Sequence, residues 1–477
     1  MPPPSLANAS DIADRVRWDA AAAALAAGER VFVAVWAAPV PDGWRVHLAT
    51  RLPDGGDLSV IALSPGGRAY ASIGRHHPAA ILMERALQDA SGLRAEGLPD
   101  PRPWLDHEAP FEALPAEGNG LHQIPVGPIH AGIIEPGHFR FTVNGETIVR
   151  LEARLGYTHK GTLGLMRGAT PDAAARLAGR ISGDSTVAYA FALARAIEAA
   201  LGIEAPPRSA ALRGLMAELE RLANHAGDVG AICNDAGFLL FNAHAAALRE
   251  QILRFANTCF GHRLMMDRIV PGGVAADIGS AAAMMLWTEL PDWLERFERL
   301  VDLYGKTASL QDRVVSTGRL DPDLARRIGC GGYVGRASAQ DFDARLGRPY
   351  PPYDRHVPAV STLANGDVDA RVRIRIAEIR ASVALIIDLL RTLPDGALRV
   401  DLPVTDEAHA DLALVEGFRG DIFAHVRLRQ GLIEDAFLRD PSWFLWPALE
   451  SAIGGNIVAD FPLCNKSFNA AYSGCDL

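Results

Sequence analysis

Cysteine is scarce in this chain: 477 residues contain only Cys233, Cys259, Cys330, Cys464 and Cys475. So thin a supply excludes a disulfide framework. The N-terminus lacks the basic start and apolar core of a secretory signal, which points to an intracellular protein. No apolar run approaches the roughly 20 residues needed to span a bilayer; the stretch 381–390, for example, contains Asp388 and lies between Arg380 and Arg391. Any meeting with a membrane is therefore expected to go through partners. Long runs of one charge are also missing. With 57 acidic against 47 basic residues and a net charge of −10, the chain carries no footprint for nucleic acid. A Gly-x-Gly-x-x-Gly following a strand is absent too, so direct NAD binding has no support and any NADH chemistry belongs to another subunit.

What is present describes a globular protein, 49% hydrophobic and 22% charged, long enough for two or three domains. The Ala-rich segment 11–27 reads as a helix. After it come β-branched runs from Val31 to Val40, Trp44 to Leu52 and Leu58 to Ser64, separated by turn residues, the pattern of a small antiparallel sheet. A helix is expected over 78–91, and the proline-rich 97–104 closes a small α+β domain at about residue 105. Residues 106–126, with Pro110, Pro115 and Pro125, read as a linker or wrapping arm. In the following domain, 127–477, two alternating runs flank Asn144-Gly145, a strong hairpin signal. Helical periodicity then takes over in 171–202, 207–235, 238–261, 279–305 and 370–393. The expected fold is α+β: a small mixed domain, then a large, mainly helical one with a short hairpin at its start. The tail from Asp460 is irregular but neither low-complexity nor rich in charge, which suggests that it is tucked in.

Two short segments place small oxygen or sulfur side chains three apart. Ser182 and Ser185 lie in Arg180-Ile-Ser-Gly-Asp-Ser185, read as part of a helical segment, and Cys464 and Ser467 lie in Asp460-Phe-Pro-Leu-Cys-Asn-Lys-Ser467. Taken alone, such serines are ordinarily solvated or bonded to the preceding turn. Around them stand Gly127-Pro-Ile-His130, Glu135-Pro-Gly-His138, Gly156-Tyr-Thr-His-Lys-Gly161, Glu218-Leu-Glu-Arg-Leu-Ala-Asn-His225, Asp235-Ala-Gly, Gly335-Arg-Ala-Ser338 and Glu416-Gly-Phe-Arg-Gly420. In this combination the chain from about residue 120 onward resembles the large subunits shared by nickel-iron hydrogenases and the quinone-proximal subunit of respiratory complex I. The segment with Glu84-Arg85 and Pro99-Asp-Pro-Arg-Pro-Trp104 looks like the small complex I subunit that accompanies it, here fused ahead. That order resembles the membrane-bound hydrogenases of the formate-hydrogenlyase and hydrogenase-4 kind.

The resemblance implies the following expectations. The family's four thiolate ligands fall on Ser182, Ser185, Cys464 and Ser467, and one thiol of four does not hold nickel and iron, because a neutral hydroxyl is a poor ligand for soft metals. The offset of Cys475 does not match the motif. Glu135 matches a proton-relay glutamate, a task that suits a half-buried carboxylate. Bonding to nearby amides before the Pro136-Gly137 turn is the plain alternative. Of the quinone-site histidines His130 is kept and the second is Ile134; the quinone-site tyrosine falls at Gly183. Asp235 and His225 match polar positions behind that cavity, His159 lines it, and Arg180 shapes its electrostatics or pairs with Asp184 or Glu218. Arg140, Arg263 and Arg336 read as buried or interface ion-pair members. The catalytic candidates are thus Glu135, His130, Asp235 and Arg180, with His159 and His225 lining the pocket.

As an oxidoreductase subunit the chain would carry no cofactor of its own. An iron-sulfur cluster would sit in a small partner subunit, with a ferredoxin-like subunit and antiporter-like membrane subunits as further partners. Quinone is a possible acceptor. Its place would be the cytoplasmic face of the inner membrane. A non-catalytic coupling module, and a quinone-reducing NADH dehydrogenase-type subunit, are the competing readings.

Overall fold

A computed structural model describes residues 11–105, 112–132 and 134–477, with the backbone alone at 11–13. Strand β1 (Asp11–Ala13) precedes helix α1 (Arg15–Ala26), which is capped by Asp14 accepting from the Arg17 amide. Strands β2 (Val31–Val40), β3 (Gly43–Arg51) and β4 (Leu58–Leu63) form an antiparallel meander, and β1 pairs with β4 in parallel to give the order β1-β4-β3-β2. The short β5 (Ala69–Ala71) and β6 (Arg94–Glu96) flank helix α2 (Pro78–Ser91) and pair in parallel. The expected 106–126 arm is only partly a linker. Its residues 106–111 lie outside the described residues, and Leu121–Val126 is strand β7, paired with β8 (His138–Asn144) and, through it, β9 (Thr147–Arg154). Pro125 is tolerated there because β7 is an edge strand.

The helical part begins with α3 (Thr162–Met166) and α4 (Pro171–Ala178). The single helix expected over 171–202 is broken: a 3-10 turn at Gly183–Ser185 separates α4 from α5 (Thr186–Leu201). Ser182 is extended, and a side chain at Gly179 would meet the Thr186 hydroxyl at 2.9 Å, so the break is built into the packing. Ser182 and Ser185 therefore sit in a turn rather than on a helix face. Next come α6 (Pro207–Asp235), α7 (Leu239–Phe260), the small ladder β10 (Ile269–Val270) and β11 (Gly273–Val274), and α8 (Ser280–Lys306). Short helices α9 (Ala308–Val314), α10 (Pro322–Ile328), α11 (Gly332–Ala337) and α12 (Ala344–Gly347) lead to α13 (Val368–Arg391). A second antiparallel sheet follows, which the helical periodicity did not announce: β12 (His409–Glu416), β13 (Asp421–Arg429) and β14 (Leu432–Arg439). The chain closes with α14 (Ser442–Ala452), α15 (Phe461–Phe468) and α16 (Ser473–Asp476).

Helix α6 is the axis. Nearly all of its residues from Ser209 to Cys233 are buried, and α5, α7, α13 and α15 pack against it. One apolar cluster surrounds this bundle. A second runs without interruption from Trp18 and Phe32 in the N-terminal segment to Trp443, Phe468 and Tyr472 in the tail. Across that seam Trp36 of β2 stacks between His47 and Phe437, at centroid distances of 4.9 and 4.8 Å. The tail is tucked in as expected: Cys464, Phe468, Cys475 and Leu477 are all buried. All five cysteines are buried and free. No helix among the described residues is long and apolar enough to cross a membrane.

Candidate functional site

The two motifs with residues three apart are brought to opposite ends of one polar lattice. Asp184, in the turn before α5, accepts from the Ser182 hydroxyl at 2.6 Å and the Ser185 hydroxyl at 3.1 Å. Arg419, from the turn between β12 and β13, clamps the same carboxylate at 2.8 and 2.5 Å and also donates to Ser185. Burial pushes the Asp184 carboxyl up, but Arg419 and the two hydroxyls outweigh it and hold the pKa down at about 2. On the other side Ser467 accepts from Arg371 at 2.9 Å and donates to the Cys464 carbonyl at 2.6 Å. Arg375 donates to the Ser467 carbonyl and to Asp228, Asn469 donates to Asp228, and Arg419 donates to the Asn469 carbonyl. Where the sequence pointed to a pocket, guanidinium groups run between the motifs.

This donor set does not fit a nickel-iron centre. The three hydroxyls are already bonded to a carboxylate, an arginine and a backbone carbonyl, and a neutral hydroxyl is a poor ligand for soft metals. Burial pushes the single thiol, Cys464, up to about 11, so it is not a thiolate at neutral pH. Gly318 makes this packing possible: with φ +58°, it lies where a Cβ would meet the Cys464 sulfur at 2.4 Å. Replacing Ser467 with alanine should leave the Arg371 Nε without its partner inside the protein. A loss of about 1–3 kcal/mol in unfolding free energy is expected by chemical denaturation.

The sequence identifies Arg336 as a buried ion-pair member but does not reveal how far the network extends. Arg336 donates to Glu378 at 2.9 and 2.7 Å, to Glu416 at 3.0 Å and to Asp343 at 3.3 Å. Arg345 joins Asp343 to Glu218, and Arg221 joins Glu218 to Glu378. His225 is fully buried with its Nε2 2.7 Å from Glu378, so it belongs to this network rather than to a pocket wall. Burial lowers the His225 pKa, and Glu378 offsets only part of the effect. The same burial raises the Glu378 carboxyl, yet Arg336 and His225 overturn this and hold it well below the carboxylate range. Glu416 is pushed up to about 7 by burial and by Asp343. Charged residues at i, i+3 on α6 (Glu218, Arg221) facing Arg336 and Glu378 were the only signal, and no local rule says that they meet.

The C-terminal turn unites three of the other candidates. Glu135 accepts from the Ser473 amide at 3.1 Å and from its hydroxyl at 3.2 Å. The His130 Nε2 lies 3.3 Å from the Tyr472 hydroxyl, and burial lowers the His130 pKa. The His159 Nδ1 lies 2.6 Å from the Asp476 carbonyl, which fixes the proton on Nδ1 in the neutral ring. The Asp476 carboxylate takes the Thr158 hydroxyl and the amides of Gly156 and Thr158. Gly137 allows this clasp, since a Cβ there would lie 2.5 Å from the Tyr472 ring. His159 itself is exposed and sits on the rim of a cavity of about 720 Å³ lined by Trp36, Trp443 and Cys475.

Two candidates stand elsewhere. Arg180 forms a bidentate, half-exposed pair with Asp267 at 2.6 and 2.7 Å, not with Asp184 or Glu218. Those two carboxylates are taken by Arg419 and by Arg221 and Arg345, while Arg180 sits in the turn after α4 facing the 262–268 loop. Asp235, at the end of α6, is raised by burial, with Asn234 and Lys466 as its polar neighbours. It stands apart from the clasp of Glu135 and His130, whose partners are Ser473 and Tyr472. Arg263 pairs with Glu250 at the surface.

Known proteins share this architecture. A subunit of the membrane-bound sulfane sulfur reductase, an archaeal respiratory membrane complex, superposes with a TM-score of 0.70 over 75% of this chain and 99% of its own, at 22% identity, so the two share a fold. The family described as respiratory-chain NADH dehydrogenase, 49 Kd subunit, matches residues 235–411. Hydrogenase-4 component G of Escherichia coli (strain K12) is 30% identical over 440 residues, covering 86% of this chain and 76% of that protein. Formate hydrogenlyase subunit 5 of the same organism is 29% identical over 85% of this chain and 77% of its own length. An NADH-quinone oxidoreductase subunit of Roseiflexus sp. (strain RS-1) is 34% identical over 57% of this chain and 73% of its own. The chain therefore belongs to the family that unites hydrogenase-4-type large subunits with the 49-kDa subunits of respiratory NADH dehydrogenases.

Proposed function

We propose that this chain is the large subunit of a membrane-associated oxidoreductase of the hydrogenase-4 or complex-I-like type, working without a nickel-iron centre of its own. The observation that carries the reading is the Ser182-Ser185-Asp184-Arg419 clamp, which occupies the family's metal-ligand motif with a closed set of hydrogen bonds. Electrons arrive from an iron-sulfur cluster in a small partner subunit, and antiporter-like membrane subunits complete the assembly, which holds this chain at the cytoplasmic face of the inner membrane. Protons move through the clasp at the C-terminal turn, where His130 meets Tyr472, Glu135 meets Ser473 and Asp476 meets Thr158. The acceptor is a quinone or another small molecule. The residues for a quinone headgroup are incomplete, since Ile134 and Gly183 offer no side-chain donors and the cavity against Gly183 and Asp184, about 10 Å³, has room for about one water.

The test is Glu135→Gln in the assembled complex. Turnover should fall by about a hundredfold or more with assembly intact, within the range ascribed to one general acid-base group. The same preparation should contain well under one nickel per chain by elemental analysis. Unchanged turnover would move the chain to a second reading, a coupling module whose buried network around Arg336 ties α6, α11 and α13 into one rigid body. One nickel per chain would overturn the metal-free reading.

A further inference from the structure

A second cavity, of about 960 Å³, opens between the N-terminal segment and the later chain, away from both the motif lattice and the C-terminal clasp. Six arginines line it, Arg30, Arg85, Arg102, Arg150, Arg326 and Arg327, against the carboxylates Asp100, Glu152 and Glu450. Arg85 and Arg102 are committed to Asp100 and Glu152 at 2.8 to 3.2 Å, and Arg30 to Asp57. Arg150 donates to the Leu114 and Pro115 carbonyls and shares Glu152 with Arg102, so the least committed positive charge is on α10. Among the described residues Arg326 pairs only with Asp323, both well exposed, a contact worth little in water. Among the described residues Arg327 has no hydrogen bond or ion pair, and it is exposed.

The helix that α10 packs against adds to this field. The start of α2 lines the same cavity through His77, Pro78 and Ile81, with no side-chain cap and no acidic residue in its first turn, so the positive end of a 14-residue helix is uncompensated. His77, at the N-cap, is 7% exposed, and among the described residues its Nδ1 has no hydrogen-bond partner. An unmet buried ring nitrogen beside an uncapped helix start is costly unless a ligand supplies the missing group. Much of the remaining wall is apolar, with Leu25, Val31, Leu82, Leu151 and Ile328. The volume is that of a small-molecule site.

We propose that this cavity binds an amphiphilic organic phosphate. Its phosphate sits against Arg326, Arg327 and the start of α2, and its planar or aliphatic body lies on the apolar wall. The inference is independent of the redox reading above. Two sources share this chemistry, a soluble nucleotide and an acidic phospholipid.

Titration of the full chain with AMP and with inorganic phosphate, and flotation with phosphatidylglycerol against phosphatidylcholine vesicles, tests the proposal and separates the sources. AMP binding tighter than inorganic phosphate assigns a soluble ligand; selective flotation with phosphatidylglycerol assigns a lipid. In either case the R326A/R327A double variant, at exposed positions and with an unchanged thermal midpoint, should weaken binding by about tenfold or more. The proposal is overturned if no probe binds, if the double variant binds like the parent, or if inorganic phosphate matches AMP without vesicle binding.

Discussion

Replacing Glu378 with alanine lowers the unfolding free energy by about 3–5 kcal/mol, the cost of leaving buried charge without its counter-charge. Glu378 is 5% exposed and faces Arg336, Arg221 and His225 together. Arg336 would keep Glu416 and Asp343, but its two shortest contacts are to Glu378. The variant should show a lower urea midpoint with an unchanged slope, since the unfolded surface stays the same. Adding Arg336→Met should recover part of the loss, because the second change removes an unmatched cation. A loss below about 1 kcal/mol for Glu378→Ala would contradict the picture of a closed network.

The second large effect is on the pH dependence of stability. Glu220 is 7% exposed, and burial pushes its pKa up to about 8; the Val187 and Ala188 amides, at 2.7 and 3.1 Å, offset only part of this. The folded protein thus holds a proton that the unfolded chain releases near pH 4.5, the ordinary glutamate value. Its contribution is fully present below that value and is lost as pH rises toward 8, up to on the order of 4 kcal/mol. Glu416 and Glu450, each pushed up to about 7, act with the same sign in a narrower window. Asp184, held at about 2, acts oppositely: its stability is present above about pH 4 and lost as pH falls through 2. In Glu220→Gln the slope of unfolding free energy between pH 5 and 8 should shrink by about one proton. An unaltered slope would mean that Glu220 is ionised in the folded protein. Glu220 lines the same small cavity as Asp184, whose negative charge also raises it.

Legibility in the sequence followed the range of the interactions involved. Helix α6 runs 207–235 and α2 runs 78–91, as the periodicity and the bounding prolines and glycines indicate. The Asn144-Gly145 turn joins β8 to β9 as its residue types require. The sheet β12–β14 escaped, although Gln430-Gly431 is a two-residue hairpin turn with φ of +53° and +75°. Gln is an unusual residue for that position, and both faces of these strands are buried, so no alternation marks them. The break between α4 and α5 escaped as well. It depends on Glu220 of α6 accepting the Val187 and Ala188 amides, a partner 33 and 32 residues away.

The scarcity of cysteine was decisive from the sequence alone. That Ser182, Ser185 and Ser467 stand where the family resemblance implies thiolates could be read without coordinates, because ligand identity is a property of residue type. What these hydroxyls bond was decided only by the tertiary structure. Arg371, Arg375 and Arg419 come from a helix and a turn far along the chain to meet Asp184, Asp228 and Ser467. The same holds for Arg180, which meets Asp267 87 residues away, and for Glu135, which meets Ser473 338 residues away. Charge pairing is short-ranged in space and blind to sequence distance, so only the packing of α6 against α13, α15 and the second sheet could choose the partners.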